Sequence, residues 1–174
     1  MNIIIDGYNL IRQSDYFRRL ERQSLEAGRI ALINQLSLYK RKKGHKITVV
    51  FDGWGSGSAR EERDRQGGID IIYSRLGEKA DDVIKRIAGN SSEEIMVVSS
   101  DREIVSFVTR RSKTALPSPE FESIMMKAAA QSADYDMFRK IDEDENSDQR
   151  AGKKGPARRL PKAARRLQTK ITKL

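Results

Sequence analysis

Ile3-Ile4-Ile5-Asp6-Gly7-Tyr8-Asn9 is the stretch on which the reading of this chain turns. Three consecutive isoleucines bounded by a glycine predict a strand buried on both faces, the kind found in parallel sheets covered by helices. The strand ends in a carboxylate. In open α/β sheets ligands sit outside the carboxyl ends of the strands, so Asp6, followed by a glycine that permits close approach, is a candidate site residue. Taken alone, Asp6 reads more readily as the cap of a turn. Recurrence of the pattern is what shifts the balance.

The pattern recurs twice. Ile47-Thr48-Val49-Val50-Phe51 is a second β-branched run that ends in Asp52-Gly53, and Ile95-Met96-Val97-Val98 runs through Ser99-Ser100 to Asp101. Between these runs the spacing predicts helices. Leu25, Leu32, Ile33, Leu36 and Tyr39 recur at helical intervals before the basic Lys40-Arg41-Lys42-Lys43 end and Gly44, and Ala80, Val83, Ile84, Ile87 and Ala88 do so before Gly89-Asn90. Asp81 and Asp82 fall in the first turn of that second helix. Ile104, Val105, Phe107 and Val108 mark a further helix, Ile69 to Tyr73 a strand, and Lys113 to Leu116 an edge strand. Ser118-Pro119-Glu120 has the chemistry of a helix start, with a cap, a proline and an early acid, and Phe121, Ile124, Met125 and Ala128 follow as its apolar face. The Gly/Ser-rich stretch after Trp54 and the charged segment from Ala59 to Gln66 read as a mobile rim loop.

Alternation of strands and helices predicts an α/β domain with a mostly parallel central sheet flanked by helices. In such a domain Asp6, Asp52 and Asp101 converge on one edge, and Asp81 and Asp82 join them from a helix start facing it. Two carboxylates about 4 Å apart repel by roughly 4 kcal/mol at an effective dielectric near 20, so a bare cluster calls for a cation. Without a single cysteine and with only His45, thiolate zinc sites, disulfides and His-based triads are excluded. Oxygen-only ligation points to Mg²⁺ or Mn²⁺, one ion or two, of the kind that engages phosphate and activates water for an in-line displacement. Each acid also has a structural reading: Asp81 or Asp82 as an N-cap, Asp101 as the cap of the helix that follows it, Asp52 as a turn former.

Charge distribution indicates the partner. The chain carries a net charge of +9, yet residues 150 to 174 hold ten basic groups and no acid, which leaves 24 basic against 25 acidic residues before them. The tail, with Arg158, Arg159, Arg165 and Arg166, has the electrostatic footprint of nucleic-acid binding. From the acidic block at Asp142 onward there are too few apolar groups to offset the entropy of ordering. The expectation is a domain over 1–141 and an acidic linker with a basic tail over 142–174. No apolar run approaches 18 residues and no basic-then-apolar segment follows Met1, so a cytoplasmic setting with no membrane contact is expected. Tyr8 and Trp54 near the acids could stack on an unpaired base, which suits single-stranded RNA better than duplex. Alternatively, Tyr8 packs beneath the first helix.

Ile4-Ile5-Asp6-Gly7-Tyr8-Asn9, Val50-Phe51-Asp52-Gly53, Ala80-Asp81-Asp82-Val83-Ile84 and Val98-Ser99-Ser100-Asp101-Arg102-Glu103 together resemble the YacP-like NYN domains of the PIN and flap-nuclease superfamily, in order, over residues 2 to about 140. The resemblance implies a PIN-like fold and a Mg²⁺- or Mn²⁺-dependent endoribonuclease leaving a 5′ phosphate. It implies Asp6, Asp52, Asp81 and Asp101 as metal-binding acids, Asp82 and Glu103 as outer or second-metal ligands, and Asn9 as the group that orients water or phosphate. One position departs from the pattern. Related flap nucleases carry an acid two places before the residue matching Asp81, where this chain has Lys79, which implies either a contact to substrate phosphate or a weak second ion.

Three functions compete at this point. The first is an endoribonuclease on single-stranded RNA whose tail docks on structured RNA; extended basic tails also resemble ribosomal-protein extensions, so a ribosome-bound substrate is an expected partner. The second is an RNA-binding adaptor with a degenerate metal site, for which Lys79 speaks. A phosphohydrolase on small molecules ranks last, because no Asp-x-Asp follows the first strand and the tail stays unexplained. Oligomeric state is not legible.

Overall fold

The computed structural model describes residues 1–53 and 60–130. Trp54, the expected boundary at residue 141 and the basic tail with Arg158, Arg159, Arg165 and Arg166 lie outside the described residues.

The opening isoleucines form β1 (Asn2–Asp6), the central strand. Alternation of side chains across a strand sends Ile3 and Ile5 into one core and Ile4 into the other, and all three are fully buried. β1 is followed by α1 (Gly7–Gln13), α2 (Asp15–Glu21) and α3 (Leu25–Lys43), then β2 (Lys46–Phe51), β3 (Glu62–Gln66) and β4 (Ile69–Tyr73). α4 (Ala80–Asn90), β5 (Ile95–Val98), α5 (Arg102–Arg110) and β6 (Thr114–Leu116) complete the alternation. A last helix, α6, is described over residues 118–130. The six strands are ordered β3-β4-β2-β1-β5-β6, with β3 antiparallel to β4 and all other pairs parallel.

Helices cover both faces. Leu10 and Ile11 of α1, Phe17 of α2, Leu32 and Leu36 of α3 and Phe121 and Met125 of α6 close the core that contains Ile3 and Ile5. Val83 and Ile84 of α4, with Ile104 and Val108 of α5, close the core around Ile4 and Val50. The chain leaves β1 over one face to reach β2 and arrives at β5, on β1's other side, over the opposite face. The gap between β1 and β5 is therefore the place where the winding reverses, and ligands of open α/β sheets collect outside it.

Three expectations are corrected. The charged segment before Gln66 is no loop over Glu62–Gln66: it is an edge strand, exposed at every residue and joined to β4 by Gly67 and Gly68. Both glycines have positive φ, 55° and 81°, the geometry of a tight two-residue hairpin turn. Its charges hid the strand from pattern reading, and they suit a sheet edge that must resist pairing with other chains. Ser118 does not cap its helix. The carbonyl of Pro117 accepts the Phe121 N–H at 3.1 Å, so the helix starts one residue earlier and the Ser118 hydroxyl is free for another partner. Leu25, expected on the core face of α3, is 43% exposed at that helix's first residue.

The glycines after Asp6 and Asp52 have a packing cause rather than a conformational one, since neither has positive φ. A Cβ at Gly7 would lie 2.3 Å from the Phe51 ring, and one at Gly53 would lie 1.9 Å from the Ser74 carbonyl oxygen. The close approach is between strand ends, not to a ligand. Gly53→Ala is accordingly expected to destabilise by about 2 kcal/mol or more and to lower the melting temperature by roughly 4 °C or more. Gly44→Asn, at a left-handed helix end with open space around it, should cost only a few tenths of a kcal/mol. Equal melting temperatures for the two variants would refute the packing account.

Candidate active site

Parallel pairing sets the heights of the acids. Asp6 is level with Val50 on β2, and Ile5 is level with Val98 on β5. Asp52 and Asp101 therefore each stand two residues beyond the level of Asp6 on the flanking strands, while Ser99 stands beside it. Asp6, Asp52, Asp81 and Asp101 line one cleft of about 390 Å³, whose remaining wall is Tyr8, Asn9, Arg12 and Gln13 from α1.

Each strand-end acid receives a backbone N–H from the start of a helix. Asp6 Oδ1 accepts from Asn9 N at 3.2 Å, Asp52 Oδ1 from Ala80 N at 2.7 Å, and Asp101 Oδ1 from Glu103 N at 2.7 Å and Ile104 N at 3.1 Å. Asp6 and Asp101 thus cap the helices that follow them while lining the cleft, and Asp52, expected as a turn former, accepts the first N–H of α4. Asp81, in the first turn of α4, lines the cleft without a cap role, whereas Asp82 turns back to accept the Lys79 N–H at 3.4 Å. Asp82, Lys79 and Glu103 are not part of the cleft wall. Lys79 is the exposed residue preceding α4, and Glu103 is 77% exposed and ion-paired with Lys85.

Serines that the sequence reading left without a role hold the site together. Ser99, fully buried, donates its hydroxyl to Asp6 Oδ2 at 3.0 Å and accepts the Asp101 N–H at 3.1 Å, tying two of the acids to each other. Asn9 Oδ1 accepts from the Ser100 N–H at 2.9 Å and the Ser118 hydroxyl at 2.8 Å. Its carbonyl is thereby committed to the fold, and only its amide hydrogens remain to offer a ligand. The doublet Ser99-Ser100 before Asp101 was the available signal. Arg12 and Gln13 were also missed, because α1 is too short to show a periodicity.

Tyr8 packs inward. Its ring is 6% exposed, meets Phe51 edge-on at 5.1 Å and carries the Arg12 guanidinium 5.3 Å from its centre. Tyr8 is a residue of α1 itself and lines the cleft while its ring packs against Phe51.

The electrostatics are those of acids held against their preference. Burial, reinforced by the Asp81 and Asp52 charges, pushes the Asp6 carboxyl up from 3.8 to about 6, although the Asn9 and Ser99 hydrogen bonds pull the other way. Asp81 is also raised, first by burial and then by Asp101. Among the described residues none of the four cleft aspartates has an ion-pair partner; Arg12, in the same wall, is paired with Glu21 at 3.6 Å. Carboxylate oxygens in a desolvated cleft are the donor chemistry of a hard divalent cation. They form a wall rather than a closed cage, for no three acids among the described residues stand together as a ready metal-binding group.

Comparison with known proteins follows the same line. The YacP-like NYN domain model matches residues 3–170. An uncharacterized protein, YacP, of Bacillus subtilis (strain 168) is 28% identical over 102 residues, 57% of this chain and 59% of that protein, so the match spans less than two thirds of that relative. Crystal structures of Rae1 (YacP) from Bacillus subtilis, a point mutant and a second form, superpose with TM-scores of 0.66 and 0.65 at 20% and 19% identity. The superpositions cover 99% of this chain and 90% and 91% of theirs. At that identity the likeness speaks for the fold.

In metal-free protein the raised Asp6 has a stability consequence. The folded state holds its proton up to about pH 6 and the unfolded chain only to about 3.8, so stability falls as pH rises through that window and the loss is complete above it. The shift corresponds to roughly 3 kcal/mol. Asp6→Asn in chelator should therefore melt several degrees above the native chain at pH 7.5 and lose this advantage at pH 4. Ser99→Ala should push the Asp6 carboxyl higher still, as read by carboxyl NMR titration. A native chain more stable than Asp6→Asn at pH 7.5 without metal would contradict the desolvated charge.

Proposed function

The chain belongs to the YacP-like NYN domain family, of the PIN-like superfamily, and from that premise we propose that it is a Mg²⁺- or Mn²⁺-dependent endoribonuclease hydrolysing phosphodiester bonds in single-stranded RNA. Domains of this type are generally nucleases and usually use divalent metal ions. The observation that carries the reading is the unneutralised wall of Asp6, Asp52, Asp81 and Asp101, drawn from four chain segments into one cleft.

Those four carboxylates would hold the cation; Asp82 and Glu103, which the resemblance offers as outer ligands, stand outside the cleft wall. When bound, the cation supplies charge neutralisation at the phosphate and a more acidic water. The chain's own groups supply position. Ser99 fixes the angle of Asp6 and its distance from Asp101, the Asn9 amide would donate to water or a phosphate oxygen, and Arg12 places a positive group in the cleft wall without neutralising the acids. Lys79, exposed before α4, is offered to an outer phosphate. Trp54 and the tail arginines Arg158, Arg159, Arg165 and Arg166 extend the RNA contact, in cytoplasm, on free or ribosome-bound RNA.

A second reading, an RNA-binding adaptor with a degenerate metal site, is favoured by Lys79 and by the open arrangement of the acids. One assay separates the two. Labelled single-stranded RNA with Mn²⁺ should be cut by the native chain, and Asp6→Asn and Asp101→Asn should each lower the rate by on the order of a hundredfold or more. Binding without metal-dependent cleavage would reject the nuclease and leave the adaptor. Removal of residues 150–174 is expected to weaken RNA affinity and flatten its salt dependence; an unchanged slope would remove the tail from the binding surface.

A further inference from the structure

The α2 helix carries a charge arrangement that the fold itself does not use. Arg18, Arg19 and Arg22 are three and four residues apart, so they share one face, and with Asp15 they line a recess separate from the acidic cleft. All three are exposed. Among the described residues none has an ion-pair partner, and the one polar contact is Arg19 Nε donating to the Asp15 carbonyl at 3.2 Å. Like charges at this spacing weaken a helix. A helix C-terminus welcomes a cation, but one suffices for that.

Tyr16 adds an independent observation. It is 41% exposed, one of few large apolar side chains left in solvent, and it precedes Arg19 by one helical turn. The adjoining Phe17 is fully buried and holds the Tyr16 ring edge-on at 5.1 Å. An exposed aromatic on a rigid mount beside unpaired arginines is the composition of a single-strand platform, where bases stack and phosphates find cations. The cleft wall reaches toward this segment through one ion pair. Arg12 lines the cleft and is ion-paired at 3.6 Å with Glu21, the residue next to Arg22.

We propose that the exposed face of α2, with Tyr16, Arg18, Arg19 and Arg22, is a docking surface for single-stranded RNA that leads the strand past Arg12 to the acidic cleft. The inference rests on the nuclease reading for its destination, but its own content is a binding surface on the described domain, distinct from the tail. Four arginines against Asp15 and Glu21 between residues 12 and 22 give this part of a near-neutral domain a local positive surplus.

The test uses the full chain. Affinity for a twelve-nucleotide single-stranded RNA is measured in chelator, where cleavage plays no part, as a function of salt. Arg18→Gln/Arg19→Gln/Arg22→Gln is expected to lower the salt slope by about 2, and Tyr16→Ala to weaken binding roughly tenfold while leaving the slope unchanged. Arg110→Gln/Arg111→Gln, at the far end of α5, should leave both quantities close to native. Melting temperature verifies that each variant is folded, and cleavage of a four-nucleotide RNA with Mn²⁺ should survive all of them. Native affinity and slope in the folded triple variant would overturn the proposal, as would an equal loss per charge in the α5 variant. A native chain that binds but never cleaves would instead overturn the nuclease reading and leave the docking surface standing.

Discussion

Parallel pairing of β1 with β2 on one side and β5 on the other is the constraint from which the site follows. With Asp6 level with Val50 and Ile5 level with Val98, the loops beyond β2 and β5 rise past the end of β1 on both sides. Asp52 and Asp101 then stand beyond Asp6 on either side, and Ser99 falls beside it. A slip of one residue at either pairing would take Asp6 out of level with Ser99 and exchange which core Ile3, Ile4 and Ile5 enter. The apolar cores on the two faces therefore hold the carboxylates in place as firmly as they hold the sheet.

Why these positions carry aspartate is a separate question from why they carry a cap. Asparagine and serine cap helix starts about as well as aspartate, and a neutral cap at position 6 would avoid the desolvation that raises its carboxyl to about 6. The negative charge is surplus to the local structure and is opposed by it. The same holds for Asp81, which serves no cap and is raised by burial and by its neighbours. Charge kept where the fold is better off without it is what the proposed cation site would require.

Much of this was legible because buried parallel strands write themselves as unbroken apolar runs. Ile3 to Ile5, Ile47 to Phe51 and Ile95 to Val98 each gave the strand and, at its end, the acid. The helices α3, α4 and α5 were legible from their spacing. What escaped detection had no such signature. β3 owes its existence to pairing with β4 and to Gly67-Gly68, not to any apolar alternation of its own. The helices α1 and α2, seven residues each, are too short for a period to emerge, so Arg12 and Gln13 could not be placed on the cleft. The roles of Ser99, Ser100 and Ser118 depend on hydrogen bonds between segments about 18 to 109 residues apart, and no local pattern encodes such a distance. The glycine after Asp6, expected to permit close approach of a ligand, instead meets the Phe51 ring, and Gly53 likewise meets the Ser74 carbonyl.

On the proposed nuclease reading an acidic cleft acting on a polyanion would face a conflict, since groups that attract a cation repel a phosphate chain. Neutralising the aspartates with arginine would relieve the repulsion and destroy the cation site. This chain keeps the two charges apart instead. Arg12 reaches the cleft wall while its ion pair is with Glu21, so it offers a positive potential without occupying an acid. The next cations outward, on α2, are unpaired. On the proposed docking path a phosphate chain crossing that helix would meet a positive potential before the carboxylates, where a bound divalent ion would offset their repulsion. Under that proposal strand binding and metal binding would be separable in space but coupled in effect: each would lower the electrostatic cost of the other, as linkage requires of two ligands of opposite charge in one field.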